Sequence, residues 1–155
     1  MSKILVVDDV PSELEIICRI LQDAGMQVIR AGDGEEAIAL IREVPPDLVV
    51  LDVVMPRMNG FEVIRELRGD RATAHLPVVF CTHKNTDIDK AWGTDLGADA
   101  YVSKPFEPQQ LVNIVQRLLW ALSRLECAGS WAQSFCLKRW AAILVLQQAP
   151  QAFGD

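Results

Sequence analysis

The stretch LVVLDVVMPRMNG, residues 48–60, decides the fold. An apolar run ends on one acid, Asp52, and a Met-Pro pair and an Asn-Gly turn follow. A short apolar run bounded by turn signals reads as a strand buried on both faces, here over 47–52. Working outward, runs of the same kind recur at KILVV (3–7), MQVIRA (26–31), LPVVFCT (76–82) and AYVS (100–103). A proline at the start of the fourth run is a tolerated place for one.

Helix-period segments separate these runs. PSELEIICRILQDAG (11–25) opens on Pro11, carries a Leu14, Ile17, Cys18, Leu21 stripe and stops at Gly25. Proline suits a first helical turn and glycine a helix end. Further helices are expected over 33–44, stopped by Pro45 and Pro46, over 59–69, over 87–97, where Gly93 weakens the pattern, and over 107–119. Five strand–helix repeats predict an α/β fold, a parallel sheet with helices on both faces.

Composition narrows the function. The 155 residues suit one domain, half of them hydrophobic, with a formal net charge of -6. That charge argues against nucleic-acid binding, which uses a basic face. No window approaches the roughly 18–20 apolar residues of a membrane span. The first strand is too short, and too soon followed by Asp8 and Asp9, for a signal peptide. The four cysteines sit at unrelated spacings, with no CxxC or Cys/His cluster to suggest zinc. A reducing cytoplasm is the simplest setting.

In open parallel sheets, ligands bind beyond the carboxyl ends of the strands. The first strand is followed by Asp8 and Asp9, the third ends on Asp52, the fourth on Thr82, and the fifth near Ser103 and Lys104. One edge therefore collects three carboxylates, a hydroxyl and an ammonium. Carboxylates crowded together share protons or hold a hard cation. Oxygen ligands without His or Cys suit Mg2+. Lys104 offers a point charge and Thr82 a hydrogen bond to the same phosphate-like group. Asp52 at the centre can act as a nucleophile and form an aspartyl-phosphate.

VDD after the first strand, LVVLDVVMPRMNG, VVFCT and YVSKPF together resemble the receiver domain of bacterial two-component response regulators, over about residues 3–119. The resemblance implies a doubly wound, flavodoxin-like sheet of order 2-1-3-4-5 with five helices. It implies Asp52 as phosphoacceptor, Asp8, Asp9, Asp52 and the backbone carbonyl of Val54 as Mg2+ ligands, Thr82 as switch hydroxyl and Lys104 as phosphoryl-binding lysine. Tyr101 would be the aromatic that rotates inward on activation, and the bond before Pro105 is usually cis in the family. The phosphodonor would be a phosphohistidine on a sensor histidine kinase. The output partner would be a protein reading the face made by the 87–97 helix, the 100–103 strand and the 107–119 helix, near Trp92 and Tyr101. The stretch HKNTDIDKAWGTDLGADAYVSKPF is most similar to stand-alone receivers of chemotaxis and pilus-motility systems. Two positions depart from the family pattern. His83 stands where a small residue is usual, and Val54 has no polar side chain to orient a hydrolytic water. Both bear on the dephosphorylation rate.

Rival readings exist. Aspartyl-phosphate phosphatases and phosphotransferases resemble DxD, whereas Val54 occupies the second acid's position. On the receiver reading the chain is no enzyme beyond its own phosphorylation and dephosphorylation. A structural module that is never phosphorylated has no use for Asp8, Asp9, Asp52, Thr82 and Lys104 together. A flavin carrier of the same fold needs a hydroxyl- and glycine-rich loop where this chain has DDVPSE.

Composition changes after Leu119. Three of the four tryptophans, Trp120, Trp131 and Trp140, lie beyond it. Leu118, Leu122 and Leu125 continue the fifth helix's stripe toward Glu126, and Ala128-Gly129-Ser130 is a break. The chain thus divides into a receiver over 1–122 and an extension over 123–155. The extension reads as a disordered tail, a helix packed on the receiver or in a homodimer, or a membrane-surface anchor.

Overall fold

The computed structural model describes residues 2–83, 91 and 95–126, with side chains as far as residue 122. Trp92, most of the helix expected over 87–97 and the chain from 127 onward lie outside the described residues.

Five strands form one parallel sheet: β1 (Lys3–Val7), β2 (Gln27–Ala31), β3 (Leu48–Leu51), β4 (Val78–Thr82) and β5 (Ala100–Ser103). Their spatial order is β2-β1-β3-β4-β5, the expected 2-1-3-4-5. The helices described over their full length are α1 (Pro11–Asp23), α2 (Gly34–Glu43), α3 (Gly60–Gly69) and α4 (Pro108–Glu126). The fold is the doubly wound, flavodoxin-like one.

The central strands are apolar throughout because both their faces are covered. Alternate residues serve opposite cores. Leu5, Val7, Val49, Leu51, Val78 and Phe80 pack with α2 and α3. Ile4, Val6, Leu48, Val50, Val79 and Cys81 pack with Ile17, Cys18 and Leu21 of α1 and Leu111, Val115 and Leu118 of α4. The stripes read from the sequence are therefore the buried faces of those helices.

Local chemistry sets the boundaries. Strand β4 begins at Val78, two residues later than the expected start, because Pro77 has no N–H for the ladder. Asp33 caps α2 by accepting from the Glu36 amide at 2.8 Å. Asn59 begins α3 with a capping box: its side chain accepts from the Glu62 amide at 3.0 Å, and Glu62 accepts from the Asn59 amide at 2.9 Å. The Asn-Gly pair is thus a helix start. Helix α4 runs unbroken to Glu126, across the expected division between residues 122 and 123.

Candidate functional site

Hydrogen bonds continue one residue past the strands and fix the backbone of the site. The Asp8 amide donates to Ala31 O at 3.2 Å, the Asp52 amide to Val7 O at 3.0 Å, and the Lys104 amide to Thr82 O at 2.8 Å. Three chemically active residues are thereby locked to their neighbours' strand ends. The Lys104–Pro105 peptide is cis, as expected.

The side chains converge. Asp8, Asp52, Thr82 and Lys104 are all buried, an unusual state for such groups unless paired. Lys104 Nζ donates to Asp8 Oδ2 at 2.6 Å and to Glu13 Oε2 at 2.7 Å, and lies 3.5 Å from Asp52 Oδ2. Asp52 Oδ1 accepts from the Val54 amide at 3.3 Å. His83 Nε2 lies 2.8 Å from Glu13 Oε1. Asp9 is exposed, outside this knot, and Val54 is exposed beside Asp52. Tyr101 is half-buried at the neighbouring strand, its ring 5.9 Å from that of Phe80.

Glu13 is the residue that the sequence reading missed. An acid in a first helical turn reads as a partner for the helix dipole. The only further signal was its position four residues after Asp9, on the helix that rises directly from the acidic strand end. The described part of that helix has no side-chain N-cap. Both Glu13 oxygens instead face the site.

Charge is balanced by contact. Burial by itself would lower Lys104, but hydrogen bonds to Asp8 and Glu13 and the nearby Asp52 outweigh it and hold the ammonium above its ordinary range. Hydrogen bonds from Lys104 and then His83 hold Glu13 below the usual carboxylate range. Burial pushes Asp8 up, against the pull of Lys104 and the Val10 amide. Cys81, beneath the site, is pushed up to about 12 by burial and is no thiolate nucleophile.

One oxygen from each of Asp8, Glu13 and Asp52 lies within 4.8 Å of the others. An all-carboxylate donor set with one ammonium against three acids fits a hard divalent cation. The arrangement as a whole combines a buried carboxylate, a neighbouring cation and a cluster of carboxylate oxygens, groups that phosphoryl transfer to an acid uses.

Fold and site define a phospho-accepting signalling module, and residues 4–116 match the response regulator receiver domain: the chain belongs to that family. It is 39% identical over 119 residues to the protein PilH of Pseudomonas aeruginosa, an alignment covering 77% of this chain and 98% of PilH. It is 44% identical over 118 residues to the DNA-binding response regulator MtrA of Mycolicibacterium smegmatis, but spans only 50% of that protein. The solved structure of the Vibrio cholerae chemotaxis protein CheY4 superposes with a TM-score of 0.72 at 36% identity, covering 76% of this chain and 98% of CheY4.

Proposed function

We propose that Asp52 takes a phosphoryl group from a phosphohistidine of a sensor histidine kinase, and that the phosphorylated chain signals by binding a protein partner. The observation that supports this most directly is the contact of one buried ammonium, Lys104, with buried Asp8 and its 3.5 Å approach to Asp52. A carboxylate oxygen of Asp52 would form the new O–P bond. The P–N bond of the donor would break, its electron pair leaving with the imidazole nitrogen. Lys104 would remain beside the added negative charge. Asp8, Asp9, Asp52 and the Val54 carbonyl would hold Mg2+, which supplies positive charge to the phosphoryl oxygens.

The likeness to a chemotaxis protein supports a role in chemotaxis or pilus-type motility, carried out in the cytoplasm. No described helix is long and apolar enough to cross a membrane. Residues 1–122 would form the receiver and 123–155 an extension, with a homodimer one allowed assembly. His83 and Val54 at the rim would set how readily water removes the phosphoryl group.

A small phosphodonor tests the reading. Acetyl phosphate with Mg2+ should add one phosphoryl group, located to Asp52 by mass spectrometry, and a chelator should abolish the addition. A phosphate on another residue, or labelling indifferent to chelation, would refute it.

Thr82 carries the proposed output. A phosphoryl oxygen would offer its hydroxyl a charge-assisted hydrogen bond, about twice as strong as a neutral one. Drawing Thr82 toward Asp52 would vacate space beside β4 for Tyr101, reshaping the face that the partner reads. Thr82→Ala should accept phosphate yet lose most phosphorylation-dependent partner binding, about tenfold or more. Equal binding by phosphorylated wild type and variant in a pulldown would remove the hydroxyl from the coupling.

A further inference from the structure

An ammonium has three N–H donors. Lys104 spends one on Asp8 at 2.6 Å and one on Glu13 at 2.7 Å. The next anion, Asp52 Oδ2, is 3.5 Å away, too long for a good hydrogen bond but in reach of a small shift. Asp8 alone would leave the ammonium free to turn about a single bond. A second fixed acceptor removes that freedom, since two directed donors define the direction of the third.

Glu13 is itself held. Its Oε1 faces His83 Nε2 at 2.8 Å, and its Oε2 faces Lys104. The N-cap residue of its helix, Val10, gives no side-chain bond. The carboxylate spans from α1 to the residue after β4 and to the residue after β5, tying three separate chain segments together at the mouth of the site.

We propose that Glu13 is a positioning residue for phosphoryl transfer: braced by His83, it orients Lys104 so that the third N–H of the ammonium addresses Asp52. This rests on Asp52 being the acceptor. It assigns a role to His83 too, through Glu13 and without contact to the reacting atoms. Chain length matters in this brace more than charge. Gln keeps both the length and an acceptor for Lys104, with an amide N–H for His83, whereas Leu keeps neither bond.

The test has two readouts on the full chain. First, the Mg2+-dependent rate of labelling by acetyl phosphate is measured as a function of donor concentration. Glu13→Leu should lower the maximal rate constant about tenfold, the scale of a misplaced catalytic group, with the half-saturating donor concentration little changed. Glu13→Gln should recover most of that loss, and His83→Phe should lose about threefold. Second, the side-chain 15N resonance of Lys104, assigned with Lys104→Arg, should be sharp in wild type and Glu13→Gln and exchange-broadened in Glu13→Leu. That readout needs no phosphorylation. Failure to label wild type at Asp52 would defeat the acceptor reading, while a Lys104 signal unaltered in Glu13→Leu would defeat the brace alone. Labelling of Glu13→Leu at the wild-type rate or faster would also overturn the brace, as would failure of Glu13→Gln to recover.

Discussion

Asp52→Asn should lose labelling by acetyl phosphate about a hundredfold or more, because a neutral carboxamide oxygen is a poor nucleophile. The fold should survive. Asn has the same shape, and the replaced carboxylate is one of the charges that raise Asp8. Removing it relieves like-charge crowding, while Lys104 keeps its two short bonds to Asp8 and Glu13. Urea unfolding should therefore show no loss of stability alongside the loss of labelling. The informative alternative is residual phosphate on Asp8 or Glu13, whose oxygens share the cluster with Asp52. Labelling of Asp52→Asn at the wild-type rate would mean that the acceptor lies elsewhere.

The largest stability effect should come from one methyl group at Gly60. A Cβ built there would lie 2.3 Å from the backbone oxygen of Asp52, 2.9 Å from the Val53 Cα and 3.0 Å from the Phe80 ring. Two of these are backbone atoms just beyond the end of β3, where no side chain can swing aside. Gly60→Ala should destabilise the fold by about 3 kcal/mol, the upper range for overpacking. The helix preference of Ala over Gly returns only about 0.5–1 kcal/mol, so the clash wins. Gly69, at the other end of α3, is the internal comparison, since a Cβ there meets nothing within 4 Å. Gly69→Ala should be neutral or stabilise by a few tenths of a kcal/mol. Chemical denaturation of the pair decides the matter: midpoints for Gly60→Ala and Gly69→Ala that coincide would show that the end of β3 yields. Since the atom struck belongs to Asp52, labelling of Gly60→Ala should slow as well.

What could be seen in the sequence follows from which residues answer to local rules. The strands at 3–7, 48–51 and 78–82 announce themselves because burial on both faces leaves polar residues only at their ends, Lys3 and Thr82. Asp8, Asp52, Thr82 and Lys104 could be placed together because strand ends of a parallel sheet share one edge, whatever the helices do. Glu13 could not, since its direction depends on how α1 rotates against the sheet. Arg68 is a second case. It ends α3 as an ordinary basic residue near a helix C-terminus, yet it donates to Leu76 O at 2.7 Å and Gly97 O at 2.9 Å and pairs with Asp99 at 3.2 Å. That staple joins segments far apart in the chain, and no spacing rule reaches them. Asp8 and Asp9, adjacent in sequence beyond the end of β1, differ in burial, the first buried and the second exposed, and no spacing rule separates them.

The sheet separates two interiors that share no helix among the described residues. Phe80 and Ile64 belong to one, Leu21 and Leu118 to the other. A void opened beside Ile64 cannot be filled by movement of Leu21, because a full strand layer stands between them. Damage and repair are therefore confined to one side, and energies of substitutions on opposite sides should simply add. Substitutions in the α1–α4 interior should therefore leave the α2–α3 interior undisturbed. The five strand ends are the shared boundary that both halves must leave in place.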